Sequence, residues 1–239
     1  MSSHTAVQKR FTVADFRARK GGAPLVVLTA YDALMARLLD SSVDVLLVGD
    51  SMGMVRYGLP TTLPVTLDMI LLSAAAVMRG SSRALVLADM PFGTAQESKE
   101  VAFRNAACIL QETGCAGVKI EGGEEMVETI RYLTQRGIPV MAHIGLKPQH
   151  VQALGGYKTQ GKTEDAKQLL VREAKMMQDA GAFGLLLEGM QADAAQAVTQ
   201  AVRIPTIGIG AGPHCDGQVL VTEDMLGLSD WTPKFVKRY

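Results

Sequence analysis

VDVLLVGD, residues 43–50, is a short apolar run that ends on a glycine and a carboxylate. Three further stretches repeat the arrangement: ALVLAD ending at Asp89, GVKIE ending at Glu121 and FGLLLE ending at Glu188. Each run is rich in Val, Leu or Ile, lies between turn residues, and is separated from the next by a helix-like segment. Buried parallel strands read this way because both faces of such a sheet are covered. In a closed βα-barrel every strand ends on the same face, where active sites are built. Four carboxylates would then converge on one mouth, where alone they would repel one another. The pattern points to a bound cation together with a carboxylate that moves protons, and so to a metal-assisted enzyme.

Outward from this stretch the same beat continues. Apolar runs begin near Leu25, Val43, Ala84, Gly117, Ile138, Phe183 and Ile204. Between them lie amphipathic segments over 67–79, 97–113, 123–136 and 163–180, each closed by a glycine. Strands alternating with such segments predict a parallel sheet with helices outside it. A short helix over 13–20, stopped by Gly21-Gly22, precedes the beat. Seven strands are clear. The candidate for the eighth is 218–221, but 211–217 is too short for a normal crossover helix. Either the last βα unit is degenerate or GQVLVTEDMLG is itself helical, and an open doubly wound sheet is the alternative to closure. The expectation is α/β, a single (βα)8 TIM-type barrel domain over 1–239, with 1–22 as an N-terminal extension and helix.

At 239 residues the chain is slightly short for such a barrel, which takes about 250. Lysine plus arginine and aspartate plus glutamate number 24 each, which argues against a generally basic surface for nucleic acid. No apolar run is long enough for a membrane span, and MSSHTAVQKR lacks the apolar core of a signal peptide. Cys108, Cys115 and Cys215 show no metal-ligand or disulfide spacing, and Cys108 and Cys115 read as packing residues. A cytoplasmic address is expected.

Asp50, Asp89 and Glu121 offer hard oxygen ligands without a His/Cys set, which suits magnesium; singly, each could instead cap a helix or pair with a lysine. Lys119 and Glu121 share parity on one strand and point to one side of the sheet. There Lys119 would face a substrate carboxylate or enolate, or form a salt bridge with a neighbouring acid, or both. His143 ends VMAHIG as a substrate contact or a structural hydrogen-bonder. Glu188, facing an apolar lumen, has the raised pKa of a general base, or serves as a more distant metal partner. GIGAG (208–212) marks a phosphate site or close backbone packing. His4, His150 and His214 fall in loop-like segments and receive no role. The long stretches 51–64 and 144–162, the latter with GGYKTQGKT, read as lids over the mouth or as disordered loops.

TAYDALMARLLD, LLVGDSMGM, TTLPVTLDMI, LADMPFGT, VKIEGG, HIGLKPQ, GGYKTQG, IGIGAGPHCDGQVLV and PKFVKRY occur in an order that resembles the ketopantoate hydroxymethyltransferase family from about Phe11 to Tyr239. The resemblance implies a barrel of the phosphoenolpyruvate/pyruvate type, one magnesium per subunit and a homodecamer. It implies that Asp50, Asp89 and Glu121 hold the metal, and that Asp50, Ser51, Asp89 and Lys119 contact the 2-oxo acid. Glu188 would be the proton acceptor, and His143 matches an active-site histidine. The implied reaction carries a hydroxymethyl group from 5,10-methylenetetrahydrofolate to 3-methyl-2-oxobutanoate in pantothenate synthesis; the folate donor rests on the resemblance alone. The chain departs from the family at Gly189-Met190, where valine-proline is common, and at Lys147, where threonine is frequent. Members also usually continue through a C-terminal helical segment beyond the position of Tyr239. The rival reading is a magnesium-dependent 2-oxo acid lyase or mutase resembling isocitrate lyase or phosphoenolpyruvate mutase, although a KKCGH-type loop is absent. A non-enzymatic metal-stabilised scaffold is the third.

Overall fold

The computed structural model describes residues 9–228 and 231–239; His4 lies outside them. Eight parallel strands close into a barrel in chain order: β1 (Leu25–Thr29), β2 (Val45–Val48), β3 (Leu85–Asp89), β4 (Gly117–Glu121), β5 (Val140–Gly145), β6 (Gly184–Glu188), β7 (Thr206–Ile209) and β8 (Gly217–Leu220). The helices are α1 (Val13–Arg17), α2 (Ala33–Leu39), α3 (Met52–Val55), α4 (Leu67–Gly80), α5 (Lys99–Thr113), α6 (Val127–Thr134), α7 (Val151–Leu154), α8 (Glu164–Asp179), α9 (Ala192–Ala201) and α10 (Thr222–Met225). The eighth strand is therefore real and the open-sheet alternative is excluded. β8 pairs with both β7 and β1, and no helix intervenes between β7 and β8. The degenerate unit is the crossover, and GQVL is strand while TEDM is helix.

Side-chain caps set where the long helices begin. Thr66, Ser98 and Thr163 each accept a hydrogen bond from the backbone N–H three residues on, which satisfies a donor that the first helical turn leaves unpaired. α5 therefore starts after Ser98, not at Glu97, and α6 is preceded by a 3₁₀ turn, Glu124–Met126. Both long stretches, 51–64 and 144–162, carry short helices, α3 in the first and a 3₁₀ turn with α7 in the second, so neither is without structure.

Strand alternation divides the apolar residues into two cores. Val45, Leu47, Leu85, Leu87, Met141, Leu186, Ile207 and Val219 fill the barrel interior, while Leu46, Val86, Val118, Ala142 and Leu185 pack outward under the helices. Phe16 of α1 plugs the bottom, edge-on to Phe183 at 5.3 Å between ring centroids. Gly184 leaves room for it, since a Cβ there would come within 2.7 Å of the Phe16 ring. With the bottom sealed by aromatics, the polar end of the lumen is the other one.

Cys115 is buried as expected, but Cys108 is half-buried on α5 and donates to Glu112. Near the bottom rim, Asp40 at the end of α2 accepts hydrogen bonds from Ser81 Oγ and from the backbone N–H groups of Ser82, Arg83 and Ala84. A carboxylate at a helix C-terminus opposes the helix dipole, and this cluster of donors outweighs the opposition. Despite burial, which alone would raise it, the Asp40 pKa falls from 3.8 to about 2 because Ser81 and those three amides favour the ionised form. Asp40→Ala should cost about 1–3 kcal/mol at neutral pH by leaving those donors unpaired. Because the folded pKa is depressed, the stabilisation is complete above the ordinary value of 3.8 and is lost as pH falls towards 2. Urea denaturation of both proteins across this range checks it; the gap between them should narrow on acidification.

Candidate active site

Register explains why one cluster forms. Asp89 on β3 stands opposite Lys119 on β4, and Glu121 stands opposite His143 on β5. His143 is level with Leu186, two residues before Glu188 on β6 and of the same parity. Neighbours in register face the same side, so Asp89, Lys119, Glu121, His143 and Glu188 all face the lumen above the apolar plug. Asp50 has the opposite parity. It enters the site only because the chain leaves the strand at Gly49 and turns, and its backbone N–H donates to Asp89 Oδ2 at 3.0 Å. A Cβ on Gly49 would lie 2.7 Å from Ser51 Oγ and would displace that hydroxyl, so glycine here preserves the position of Ser51. Ser51 is held by Tyr31, whose hydroxyl is 2.9 Å from Ser51 Oγ.

The floor is a network of charges out of contact with water. Lys119 Nζ lies 3.3 Å from Asp89 Oδ1, 4.0 Å from Glu121 Oε1 and 3.2 Å from His143 Nδ1. An ammonium only donates, so Nδ1 accepts and the neutral ring carries its proton on Nε2. That nitrogen faces Glu188 Oε2 at 3.3 Å. Burial, then the adjacent Lys119 charge, holds the His143 pKa well below the usual 6.5. Burial alone would discharge Lys119, but Asp89, Glu121, Asp50 and Glu188 outweigh it and push its pKa up. Burial, reinforced by Asp89 and Glu121, drives Asp50 well above the ordinary carboxylate range. Burial also raises Asp89, against the pull of Lys119. Glu121 is pushed to about 7, and Glu188, at the wall with 23% of its side chain exposed, to about 8; burial leads in both.

Above this floor lies a cavity of about 260 Å³ whose rim includes Met54, Leu146, Tyr157, Trp231 and Phe235. Every site residue named from sequence reaches it: Asp50, Ser51, Asp89, Lys119, Glu121, His143 and Glu188. Two residues were missed. Tyr31 orients Ser51, and Gln149 is buried with its amide nitrogen 2.9 Å from Asp50 Oδ2. In GIGAG, close packing is observed at Gly210, where a Cβ would lie 2.9 Å from the Phe235 ring. Lys147, the departure from threonine, pairs with Glu125.

Asp50 and Asp89 adjoin, and Asp89 Oδ1 is buried without a hydrogen-bond partner despite its ion pair to Lys119. Among the described residues no three His, Cys, Asp or Glu side chains already form a metal cage. Two adjacent hard carboxylates with room for water and substrate nevertheless match how magnesium is held, since it keeps most of its shell from outside the protein.

A family model for ketopantoate hydroxymethyltransferase matches residues 10–239. The chain belongs to that family. A 3-methyl-2-oxobutanoate hydroxymethyltransferase of Paramagnetospirillum magneticum (strain ATCC 700264 / AMB-1) is 61% identical over 97% of this chain and 85% of its own. One from Parvibaculum lavamentivorans (strain DS-1 / DSM 13023 / NCIMB 13966) is 59% identical over 97% and 84%. The activity is accordingly that of a 3-methyl-2-oxobutanoate hydroxymethyltransferase, and the lyase, mutase and scaffold readings are set aside. Among solved structures, 2,3-dimethylmalate lyase, a PEP mutase/isocitrate lyase superfamily member, superposes with a TM-score of 0.64 at 19% identity, over 90% of this chain and 82% of its own. Phosphonopyruvate hydrolase in complex with oxalate and Mg²⁺ gives 0.68 at 16%, over 91% and 84%. These two share the barrel.

Raised carboxylate pKa values have a sign that stability can report. A carboxyl raised from 4.5 to about 7 or 8 keeps a proton in the folded state that the unfolded chain has released. Stability is then greatest below about 4.5 and declines as pH rises towards 8. In excess chelator the denaturation midpoint should fall between pH 5 and pH 8, and Glu188→Gln should make that slope shallower. A midpoint that holds level across this range would contradict the placement of these acids.

Proposed function

We propose that Glu188 is the base that removes the carbon-3 proton of 3-methyl-2-oxobutanoate, and that Asp50 and Asp89, with Glu121 completing the acidic set, hold a magnesium ion. The single observation that carries this reading is the position of Glu188. It is the one acid on the lumen wall separated from the Asp50–Asp89 pair by the neutral His143 and by Lys119, with a pKa near 8 that suits proton abstraction near neutrality. The Mg²⁺ bound with oxalate in the structurally similar phosphonopyruvate hydrolase supports the choice of ion.

When bound, magnesium supplies Lewis-acid polarisation of the 2-oxo acid's carbonyl and carboxylate oxygens. Lys119, fixed from below by Asp89, offsets the substrate's charge and the charge that develops as the carbon–hydrogen bond breaks. His143 Nε2 lies 3.3 Å from Glu188 Oε2 without a hydrogen bond to it, which leaves that N–H for the substrate or for Glu188 as its carboxylate turns. Ser51, pinned by Tyr31, is placed to contact the substrate. The proton passes to Glu188, and carbon 3 of the enolate attacks the methylene carbon of 5,10-methylenetetrahydrofolate. Both methylene–nitrogen bonds of the donor break: water supplies the hydroxyl oxygen of the product, the two donor nitrogens take up the proton held by Glu188 and the one released by water, and 2-dehydropantoate and tetrahydrofolate leave. The apolar rim suits the flat donor better than the charged floor does. A cytoplasmic homo-oligomer, a homodecamer by family resemblance, completes the reading, and the exposed Leu34 and Leu38 on α2 and Leu72 on α4 support burial against another subunit.

Exchange of the carbon-3 proton with deuterated water, followed by NMR, tests the base separately from transfer. Glu188→Gln should retain binding of the 2-oxo acid but slow exchange by about 10²–10⁴; wild-type exchange would place the base elsewhere. Excess chelator should abolish turnover and magnesium restore it. Lys119→Ala should weaken substrate binding and also slow exchange, with Lys119→Arg rescuing only in part, because a planar fork does not replace a compact ammonium in a tight lumen. Normal binding and exchange in Lys119→Ala would reduce Lys119 to a structural ion-pair partner.

A further inference from the structure

Gln149 is buried in the barrel mouth, and the mechanism above gives it nothing to do. It lies in the 3₁₀ turn Pro148–His150, inside the long loop that follows β5. Its side-chain nitrogen donates to Asp50 Oδ2 at 2.9 Å and to the Met90 carbonyl at 3.0 Å. Its side-chain oxygen accepts from Gln96 Nε2 at 3.0 Å, and its backbone N–H donates to Glu121 Oε2, also at 3.0 Å. One residue therefore occupies an oxygen on each of two acids that come from different strands. It leaves Asp50 Oδ1 for other partners and turns Glu121 Oε1 towards Lys119 and His143, at 4.0 and 3.6 Å.

The residue type matters. A carboxamide donates to a carboxylate without adding charge, whereas a lysine here would compete with a cation and a glutamate would repel Asp50 and Glu121. The oxygen of the same amide is anchored by Gln96, so its nitrogen cannot flip away from Asp50 without losing that bond. Asp50 itself stands beyond the end of β2, where no strand hydrogen bonds fix it, so its orientation depends on contacts of this kind.

We propose that Gln149 is a positioning residue for the acid set: it fixes the orientation of Asp50 and Glu121 and makes that orientation depend on the seating of the β5 loop. The inference rests on the cation reading of the previous subsection. Groups that orient metal-binding side chains from outside typically change metal affinity or activity by about 10–100-fold when removed.

The test uses Mn²⁺ as probe, with free ion followed by electron paramagnetic resonance in the substrate-free protein, alongside steady-state kinetics. Gln149→Leu keeps the bulk and the backbone N–H to Glu121 but loses the side-chain donors to Asp50 and Met90. It should weaken Mn²⁺ binding by about 10–100-fold, with the kinetic loss falling mainly on kcat/KM for the 2-oxo acid. Gln96→Leu leaves every acid contact in place; it frees the Gln149 amide oxygen and, away from the acids, the Gly93 and Ala95 N–H groups that Gln96 accepts from, so it should shift Mn²⁺ affinity in the same direction by a smaller factor. Wild-type affinity and kinetics in Gln149→Leu overturn the proposal; should that variant fail to fold, wild-type Mn²⁺ affinity in Gln96→Leu overturns it. If the wild-type protein binds no Mn²⁺, the cation reading falls and this inference with it, whereas wild-type binding with unaltered variants removes the role of Gln149 alone.

Discussion

A single buried ammonium among four carboxylates is the constraint on which the mouth of this barrel depends. Lys119 is almost wholly removed from water, and an isolated charge in that position would cost several kcal/mol. It stays charged because Asp89 lies beside it and Glu121, Asp50 and Glu188 lie near. The converse holds for the acids, each of which burial pushes towards its protonated form and Lys119 pulls back. One positive charge cannot balance four negative ones, so the cluster is electrostatically incomplete by construction. Folding tolerates this because the barrel beneath is densely apolar and plugged by Phe16, and because some of the acids take up protons. The proposed divalent cation rests on this imbalance, and the same imbalance disfavours a further anion unless a cation accompanies it.

Much of this is legible in the chain because a parallel barrel imposes strict rules. Apolar runs between helical segments mark seven strands, and strand parity alone puts Lys119 on the same face as Glu121. The eighth strand is ambiguous for a physical reason. A crossover usually announces itself as an amphipathic helix, and between β7 and β8 there is none. Closure there relies on pairing of β8 to both neighbours and on Gly217, where a Cβ would come within 2.4 Å of the Leu25 carbonyl oxygen. Such a close approach is a tertiary fact that no local pattern announces.

The site divides in the same way. Asp89, Lys119, Glu121, His143 and Glu188 are legible because they stand on strands with fixed alternation. Asp50 is found for an incomplete reason: its strand directs that parity outward, and only the turn at Gly49 brings it in. Tyr31 and Gln149 stay hidden because their partners are 20 and 99 residues away in sequence. GLKPQ falls in the long stretch 144–162, and nothing in a loop pattern indicates that its glutamine will be buried against a carboxylate from a distant segment. Conversely, the glycines of GIGAG look like an anion loop, but each stands where a Cβ would meet a neighbour: Cys215 at Gly208, Phe235 at Gly210 and Ala192 at Gly212.

This division has a functional logic. The groups that set the charge of the floor sit on strands, whose paired backbones hold them to small displacements: Lys119, His143 and Glu188 form one line, from ammonium through neutral imidazole to the carboxylate proposed as base. Asp50 and Ser51, proposed to meet the cation and the 2-oxo acid, sit just past a strand end and are oriented by partners from other segments, Gln149 and Tyr31. A reaction that must admit two substrates in turn benefits from that separation. His143 and Glu188 stand on adjacent paired strands, so their spacing is set by the barrel, whereas the charge of Asp50, which raises the Glu188 pKa further, reaches the site from a segment that Gln149 orients.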